Sequence, residues 1–324
     1  MSIFVRSLVA IAALAAVAAA APAIAQDYPT KPVRILVPYP PGGASDVTAR
    51  ILADKLAKKW GGKAVFVENK PGANGVIGTE AIARAEPDGY TMGLVASSHV
   101  ANPALFKKLP FDLAEMTPVT MTAQVQLGLV VHPSLPVNNV RELVAYLKAN
   151  PNKVAVATSG RGSNPQLWAL YFMQLTGTQM IDVPYKGSGA AHPDLLSGQT
   201  QVMFDAVAAV LPHVKAGKLK LLAVGGEARS PFLPDTPTMQ EAGVPGYVMA
   251  SWGAVIVPAK TPKPIVDLLN RDIVAILNEP DTKERLAGLL AEVIGNSPAD
   301  ASRIMNAEEA RLTKLIRDVG IPPE

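Results

Sequence analysis

The chain has 324 residues, of which 49% are hydrophobic, 18% charged and 5% aromatic, and its formal net charge is +3. Low charge and ample apolar side chains exclude intrinsic disorder, and the length accommodates two ordinary domains. The absence of cysteine excludes disulfide frameworks, thiolate nucleophiles, iron–sulfur clusters and cysteine-ligated zinc. Lysine and arginine are scattered among acidic residues, so no nucleic-acid partner is predicted.

The N-terminal 25 residues have the pattern of a secretory signal peptide. Arg6 precedes an uncharged run that ends in the small-residue sequence Ala23-Ile24-Ala25. A retained membrane anchor is the alternative, but the apolar stretch, residues 8–21, is shorter than the roughly 20 residues of a spanning helix. The sequence therefore predicts export, with cleavage after Ala25.

The first predicted unit of the mature chain is a strand, a turn and a helix. A β-branched run, residues 33–39, predicts a strand and is followed by the turn Pro40-Pro41-Gly42-Gly43-Ala44-Ser45. Apolar residues at helical spacing then predict a helix over 46–60, with Ser45 or Asp46 as its cap. A glycine-rich turn therefore leads directly into a helix.

The rest of the chain continues this alternation. Further strands are predicted at 64–68, 90–96, 128–132, 153–157, 180–183, 201–204, 219–224 and 253–257. Further helices are predicted at 78–85, 140–149, 165–175, 206–216, 264–278, 281–290 and 298–318. Such alternation is typical of an α/β fold with mainly parallel strands.

The second half of the chain repeats the first unit. The strand Val154-Ala155-Val156-Ala157-Thr158 is followed by the turn Ser159-Gly160-Arg161-Gly162-Ser163-Asn164, and Pro165 opens a helix. A glycine-rich turn that feeds a helix exposes backbone N–H groups at the positive end of the helix dipole, which favours an anion. Ordinary capped turns are the alternative for either loop alone, but two matched loops favour anion binding.

Neither turn is a nucleotide site. The first turn lacks the Gly-Lys-Ser/Thr ending of a P-loop, and no G-x-G-x-x-G follows a strand. The four histidines, His99, His132, His192 and His213, have no metal-ligand spacing. The sequence therefore predicts no cofactor and no metal.

No hydrolytic motif is present either. The sequence contains no G-x-S-x-G and no S-x-x-K, so no enzymatic activity is predicted. A lone histidine is usually structural, but His99 follows a predicted strand and so lies where ligands bind in open α/β sheets. Asp46 and Asp205 are candidate carboxylates, with helix capping as the alternative for Asp205. The loop 185–189 adds a hydroxyl from Tyr185 near the same edge, unless it is merely solvated.

A series of motifs along the mature chain resembles one known family. In order they are DYPTKPVRILVPYPPGGASD at 27–46, VENKPGA at 67–73, PDGYT at 87–91, VPYKGS at 183–188, QVMFD at 201–205, HVKAGKL at 213–219 and LPDTPT at 233–238. They are similar to Bug-type extracytoplasmic solute receptors, the substrate-binding components of tripartite tricarboxylate transporters. The resemblance covers essentially the whole mature chain in order, and is therefore highly specific.

This resemblance implies a two-lobed type II periplasmic-binding-protein (Venus flytrap) fold with the ligand in the interlobe cleft. One lobe is expected at 26–124 plus 225–324 and the other at 125–224. It also implies a periplasmic protein that captures a small organic (di)carboxylate, acts as a monomer and docks on integral membrane permease subunits. The residues expected at the ligand are Tyr39, Gly43, Ala44, Ser45, Asp46, Ser97, His99, Gly160, Gly162, Ser163, Asn164, Tyr185 and Asp205.

Two departures from the family pattern fall near these residues. Gln166 stands where relatives commonly have histidine, and His192 stands where less polar residues are usual. Both are expected to tune the far end of the ligand. Two other functions stay open at this point, a receptor that signals to a sensor kinase and a secreted hydrolase.

Overall fold

Residues 28–323 are described by a computed structural model, so the predicted signal peptide and its cleavage after Ala25 lie outside the described residues. The strands in this range are β1 (Val33–Val37), β2 (Val65–Asn69), β3 (Thr91–Ala96), β4 (Met116–Val131), β5 (Ala155–Thr158), β6 (Ile181–Pro184), β7 (Val202–Ala206), β8 (Lys220–Val224), β9 (Ala250–Pro258) and β10 (Ala291–Val293). They confirm the predicted mixture of strands and helices.

The helices in the same range alternate with these strands. They are α1 (Ala44–Lys59), α2 (Val76–Ala83), α3 (Asn102–Leu105), α4 (Val140–Ala149), α5 (Asn164–Thr176), α6 (Ser188–Ser197), α7 (Val207–Lys215), α8 (Lys263–Leu277), α9 (Pro280–Ala287) and α10 (Pro298–Asp318). Short 3₁₀ turns lie at Ala73–Gly75, Ser97–Ala101 and Leu113–Glu115. Across residues 28–323, no helix combines the length and apolar character needed to span a membrane.

All ten described strands belong to one sheet whose main order is β2-β1-β3-β9-β4-β7-β5-β6, with β8 and β10 also paired to β4. Strands β2, β1 and β3 are mutually parallel, and so are β6, β5 and β7. The pairs made by β4 and β9 are antiparallel. The predicted α/β class is confirmed, but the prediction of mainly parallel strands is wrong at the centre of the sheet.

The long strand β4 joins two groups of strands. Its residues 116–126 pair with β9, and its residues 127–131 pair with β7 and β8. The chain returns beside this crossing, where the Gly225 amide donates to the Leu127 carbonyl and the Met249 amide donates to the Gly225 carbonyl. The "first group" below means the strands on the β1 side of this crossing, and the "second group" means those on the β5 side. The lobe boundaries at 124/125 and 224/225 stay a prediction.

Helices cover both groups and bury their apolar faces against the sheet. Helix α1 buries Ile51, Leu52 and Leu56 in a core that also contains Leu269 and Ile273 of α8. Each fully buried aliphatic side chain of this kind contributes roughly 1.5–3 kcal/mol. These contacts fix the start of α1 against the edge of β1, which is where the first glycine turn lies.

Several elements differ from their predictions: α3 and β10 were not expected, and β4 and α6 differ for local reasons. Only residues 128–132 were expected to form a strand, yet β4 begins at Met116. Pro118 and the register shifts near it hide the strand pattern. Helix α6 was not expected, because its sequence starts with glycine and serine and contains Pro193.

A candidate ligand-binding cleft

The first glycine turn ends in a helix with no side-chain cap. Gly43 is the N-cap of α1 in extended conformation, so the prediction that Ser45 or Asp46 caps this helix is wrong. Ala44 and Ser45 occupy the first turn instead. The N–H groups of a first turn have no partner within the helix, and Ala44 and Ser45 both line the cavities described below.

Asp46 is buried and holds the first glycine turn in place. Its carboxylate accepts hydrogen bonds from the Gly42 amide at 2.9 Å, the Arg50 Nε at 3.0 Å and the Asn69 Nδ2 at 3.0 Å. Burial acts to raise the pKa of this carboxyl, but the hydrogen bonds from Arg50, Gly42 and Asn69 outweigh it and hold the pKa of Asp46 below its usual value. With both oxygens engaged, Asp46 organises the turn.

The second glycine turn is held by Gln166. The side chain of Ser163 caps α5 by accepting from the Gln166 amide, and the Gln166 Oε1 accepts from the Gly162 amide at 2.7 Å. The Gln166 Nε2 donates to Asp182. Gly162 has φ +69°, a backbone conformation that side chains rarely adopt. Gln166, expected to tune the ligand, therefore shapes the turn that carries Gly162.

Four helix N-termini converge on one cleft. The cleft is lined by residues from the starts of α1, α5, α6 and α7, namely Ser45, Asn164, Ser188 and Ala206. Helices α1, α6 and α7 have no side-chain cap. Each helix start carries a partial positive charge, and the uncapped starts of α1, α6 and α7 also have N–H groups without a partner in the helix, so the cleft attracts anions.

The cleft contains an inner chamber and an outer mouth. The inner chamber has a volume of about 180 Å³ and a largely apolar wall, which includes Leu94, Val125 and Trp252. The outer mouth, of about 650 Å³, includes Tyr39, Asp46 and Lys186. Both contain Ser45, Asn164, Ser188 and Ser251, so they are continuous. The chamber is smaller than the pockets of drug-sized ligands and suits a small molecule.

Asn164 bridges the two strand groups at the boundary between chamber and mouth. Its Nδ2 donates to the Ser97 Oγ and to the Ser251 Oγ, at 3.0 Å each. Asn164 is the first residue of α5, in the second group. Ser97 follows β3 and Ser251 lies in β9, and both of these strands belong to the first group. Ser97 itself is buried and lines neither cavity.

Asp205 lies in the chamber wall at the end of β7. Its Oδ1 accepts from the Ser188 hydroxyl at 2.9 Å and from the Ala206 amide at 2.8 Å, and its Oδ2 lies 2.7 Å from the His192 Nε2. The alternative of a helix cap is not observed, because the N-cap of α7 is Ala206. His192 does not line the cleft and reaches it through Asp205.

Five predicted ligand residues line neither cavity: Ser97, His99, Gly160, Gly162 and Tyr185. Gly160 and Gly162 belong to the second turn but not to the cavity walls, and the Tyr185 hydroxyl donates to Asp194 at 2.6 Å. This bond, with burial, raises the pKa of Tyr185 to about 12. The imidazole of His99 is buried, stacks on Phe111 and borders a separate cavity of about 370 Å³. The structure therefore brings together the other predicted residues: Tyr39, Gly43, Ala44, Ser45, Asp46, Ser163, Asn164 and Asp205, with Ser97 beside them.

His99 makes stability depend on pH. Its Nδ1 is buried without a hydrogen-bond partner, and burial lowers the pKa of His99 from 6.5 to about 4. Between pH 4 and pH 6.5, His99 binds a proton more readily in the unfolded chain than in the folded protein. The free energy of unfolding therefore falls as the pH drops below about 6.5. By pH 5 we expect the free energy of unfolding of the native protein to fall by about 2 kcal/mol, a loss that a His99→Leu variant does not show. Urea unfolding of both proteins at pH 7.5 and pH 5 measures this difference, and parallel losses would contradict it.

Several cleft residues had no local sequence signal. Thr48, Thr122, Ser159, Ser188, Ser251 and Trp252 all line the inner chamber. Ser188 belongs to the loop predicted near the ligand edge, and Ser159 opens the second glycine turn. The sequence pattern could therefore have indicated these two residues, unlike the other four. Ser251 and Trp252 begin β9, which reaches the cleft only through its pairing with β3 and β4.

The fold and the cleft are those of a periplasmic solute-binding protein. The solved structure of the periplasmic binding protein BugD is 34% identical in sequence, with a TM-score of 0.81, and the match covers 92% of this chain and 100% of that one. The Rhodopseudomonas palustris protein MatC, with bound malate, is 30% identical, with a TM-score of 0.79 over 89% and 100%. The structure "R. palustris Rpa4515 with adipate" is 35% identical, with a TM-score of 0.85 over 92% and 100%.

The family follows from the sequence comparison. The model of the family described as "Tripartite tricarboxylate transporter family receptor" matches residues 48–321. Protein BugT of Bordetella pertussis is 38% identical over 310 residues, which is 95% of each chain. This chain therefore belongs to the tripartite tricarboxylate transporter receptor family, and the resemblance noted in its sequence is confirmed.

Proposed function

We propose that this protein captures a small organic carboxylate in the cleft and delivers it to the integral membrane permease subunits of a tripartite tricarboxylate transporter. The observation that carries the proposal is the convergence of four helix N-termini on the cleft. Among the described residues, Lys186 is the only cationic side chain that lines either cavity. The helix termini therefore supply the attraction for an anion. Adipate and malate in the two related structures belong to the same chemical class.

Capture requires the two lobes to close on the ligand. The lobes proposed at 26–124 plus 225–324 and at 125–224 would move about β4 and the return segment near Gly225. A carboxylate between the starts of α1 and α5 draws these helices together, because each presents its positive end to the same anion. Ligand binding would then favour the closed form by its higher affinity for that form.

Export and the absence of catalysis complete the proposal. The receptor family supports a periplasmic location. The signal peptide would be cleaved after Ala25, and the mature protein would act as a monomer. No chemical step is assigned to the cleft, because the Asp205 carboxylate, which accepts from the Ser188 hydroxyl and is the nearest candidate for a general base, is also engaged by the Ala206 amide and the His192 imidazole. N-terminal sequencing of the periplasmic protein would test the cleavage site.

A thermal-shift screen of organic acids tests the binding function. An acid at 100 times its dissociation constant adds about 2.7 kcal/mol to stability, which raises the melting temperature by about 5 °C or more. The neutral methyl esters of the same acids are the matched controls, since the helix termini favour the charged form. No shift with any acid, or equal shifts with the esters, would refute the proposal. Uptake of the identified acid in cells that lack this gene would then separate transport from sensing.

A further inference from the structure

We propose that the captured acid also carries a hydrogen-bond donor, a hydroxyl or an ammonium group, which is received by Asp205. This inference rests on the proposed function and specifies its ligand. The structure divides the cleft into a region that attracts anions and a region that is already anionic.

Two of the four helix N-termini already face an anion. The carboxylate of Asp205 accepts from the Ala206 amide at the start of α7 and from the Ser188 hydroxyl at the start of α6. These two helix dipoles therefore stabilise a carboxylate that belongs to the protein. The starts of α1 and α5 remain for the ligand carboxylate, so the cleft provides one anion position.

The inner chamber offers no cation to a second ligand carboxylate. Among the described residues in its wall, Asp205 is the only one with an ionisable side chain; the others are apolar or carry hydroxyl or amide groups. A ligand carboxylate placed against Asp205 would experience like-charge repulsion that is weakly screened, because Asp205 is buried. The group that faces Asp205 must therefore be neutral or positive.

Asp205 has one accepting position left for the ligand. An ionised carboxylate has about four lone-pair sites, and Ser188, His192 and Ala206 engage three of them. Asp205 is only 4% exposed, so a ligand methylene at that position would leave an acceptor buried without a donor. A hydroxyl or an ammonium satisfies it, and the ammonium adds an ion pair.

Ser188 and His192 are positioning residues for this carboxylate. Both belong to α6, and each engages one oxygen of the carboxylate, so together they fix the direction of the remaining lone pair. His213 packs edge-on against the His192 ring, with centroids 6.1 Å apart, and restricts its rotation.

Calorimetric titration with matched acids tests the inference. Each set contains a plain monocarboxylic acid, its hydroxy acid and its amino acid, such as propionate, lactate and alanine, and the sets span several chain lengths. We expect the tightest binder to carry the donor and its plain counterpart to bind at least about tenfold more weakly, because a site built for a donor rejects an analogue that lacks it. Equal or tighter binding of the plain acid would overturn the inference and leave the proposed function intact. If no acid in any set binds, both fail.

The Asp205→Asn variant identifies the donor. The amide oxygen takes over the bonds from Ser188 and Ala206, so the amide NH2 faces the ligand: it can donate to a hydroxyl, which both donates and accepts, whereas the ion pair with an ammonium is lost. An amino-acid ligand should then lose at least about 100-fold in affinity, and a hydroxy-acid ligand about tenfold or less. Asp267→Asn, an exposed carboxylate on α8, is the control. Because the comparison of acids in the native protein needs no variant, a folding defect in Asp205→Asn does not remove the test. A donor preference that is unchanged in folded Asp205→Asn would overturn the assignment to Asp205.

Discussion

Replacing Gly162 with valine is expected to weaken acid binding by at least about 100-fold in a protein that still folds. The φ of +69° costs a residue with a side chain roughly 1–2 kcal/mol, which is a fraction of ordinary domain stability. A Cβ at this position would also lie 2.4 Å from the Leu105 Cδ1, across the interface between the two strand groups. Leu105 is buried and has little room to move, so valine should hold the groups apart. Calorimetry gives the affinity and urea unfolding gives the stability.

Gly177 provides a matched control for this variant. It follows the same helix α5 at its other end, with φ +62° and nothing within 4 Å of an added Cβ. Gly177→Val should therefore show a similar loss of stability with unchanged affinity. If both variants lose affinity equally, the effect of Gly162→Val comes from backbone strain in α5 and not from the contact with Leu105.

The reason for this expectation changed between the sequence and the structure. The glycine-rich pattern indicated that Gly162 exposes its amide to the ligand. In the structure that amide donates to Gln166, and a Cβ added to Gly162 would collide with the Leu105 side chain. A sequence pattern shows that glycine is required at a turn, but it does not show which neighbour requires it, because the neighbour comes from 57 positions away along the chain.

Elements with strong local signals were predictable. Helices α4 and α10 match their predicted bounds, because each has a capping side chain, Asn139 and Ser297, before an amphipathic run. The strand β4 was mostly missed, since its first half contains Pro118 and three threonines and has no continuous apolar run. Its strand state is set by pairing with β9, which is a long-range interaction that no local window contains.

The candidate site was predictable only where it coincides with a strand–turn–helix unit. Ser45, Asn164 and Asp205 each follow a strand and line the chamber. His99 also follows a strand, yet its ring turns into the core beside Phe111. Position along the chain gives the edge of the sheet on which a residue lies, whereas the direction of a side chain depends on packing that the sequence does not display. Ser251 and Trp252 were missed because their strand joins the site from the far end of the chain.

Replacing Asn164 with alanine is expected to weaken acid binding by about 30-fold. The variant loses two hydrogen bonds that join the strand groups, to Ser97 and to Ser251, and each contributes about 1 kcal/mol. The two serine hydroxyls lie 3.3 Å apart and can still bond to each other, so no buried group is stranded. Under the proposed closure the bridge forms when the two groups meet, so the stability of the open, ligand-free protein should fall by less than the affinity. Calorimetry on the variant and the native protein measures the loss.

A double-mutant cycle separates this bridge from simple loss of the Asn164 side chain. If the bridge to Ser251 forms only when the two groups meet, Ser251→Ala and Asn164→Ala should weaken binding less in combination than the sum of their separate effects. Asn152→Ala is the control, since its side chain bonds to Gln179 within the second group and is exposed. Additive effects would show that Asn164 and Ser251 act independently on the ligand. Asn164→Asp extends the test: the added charge at the start of α5 favours the helix but repels a ligand carboxylate, so this variant should be as stable as the native protein and bind more weakly than Asn164→Ala.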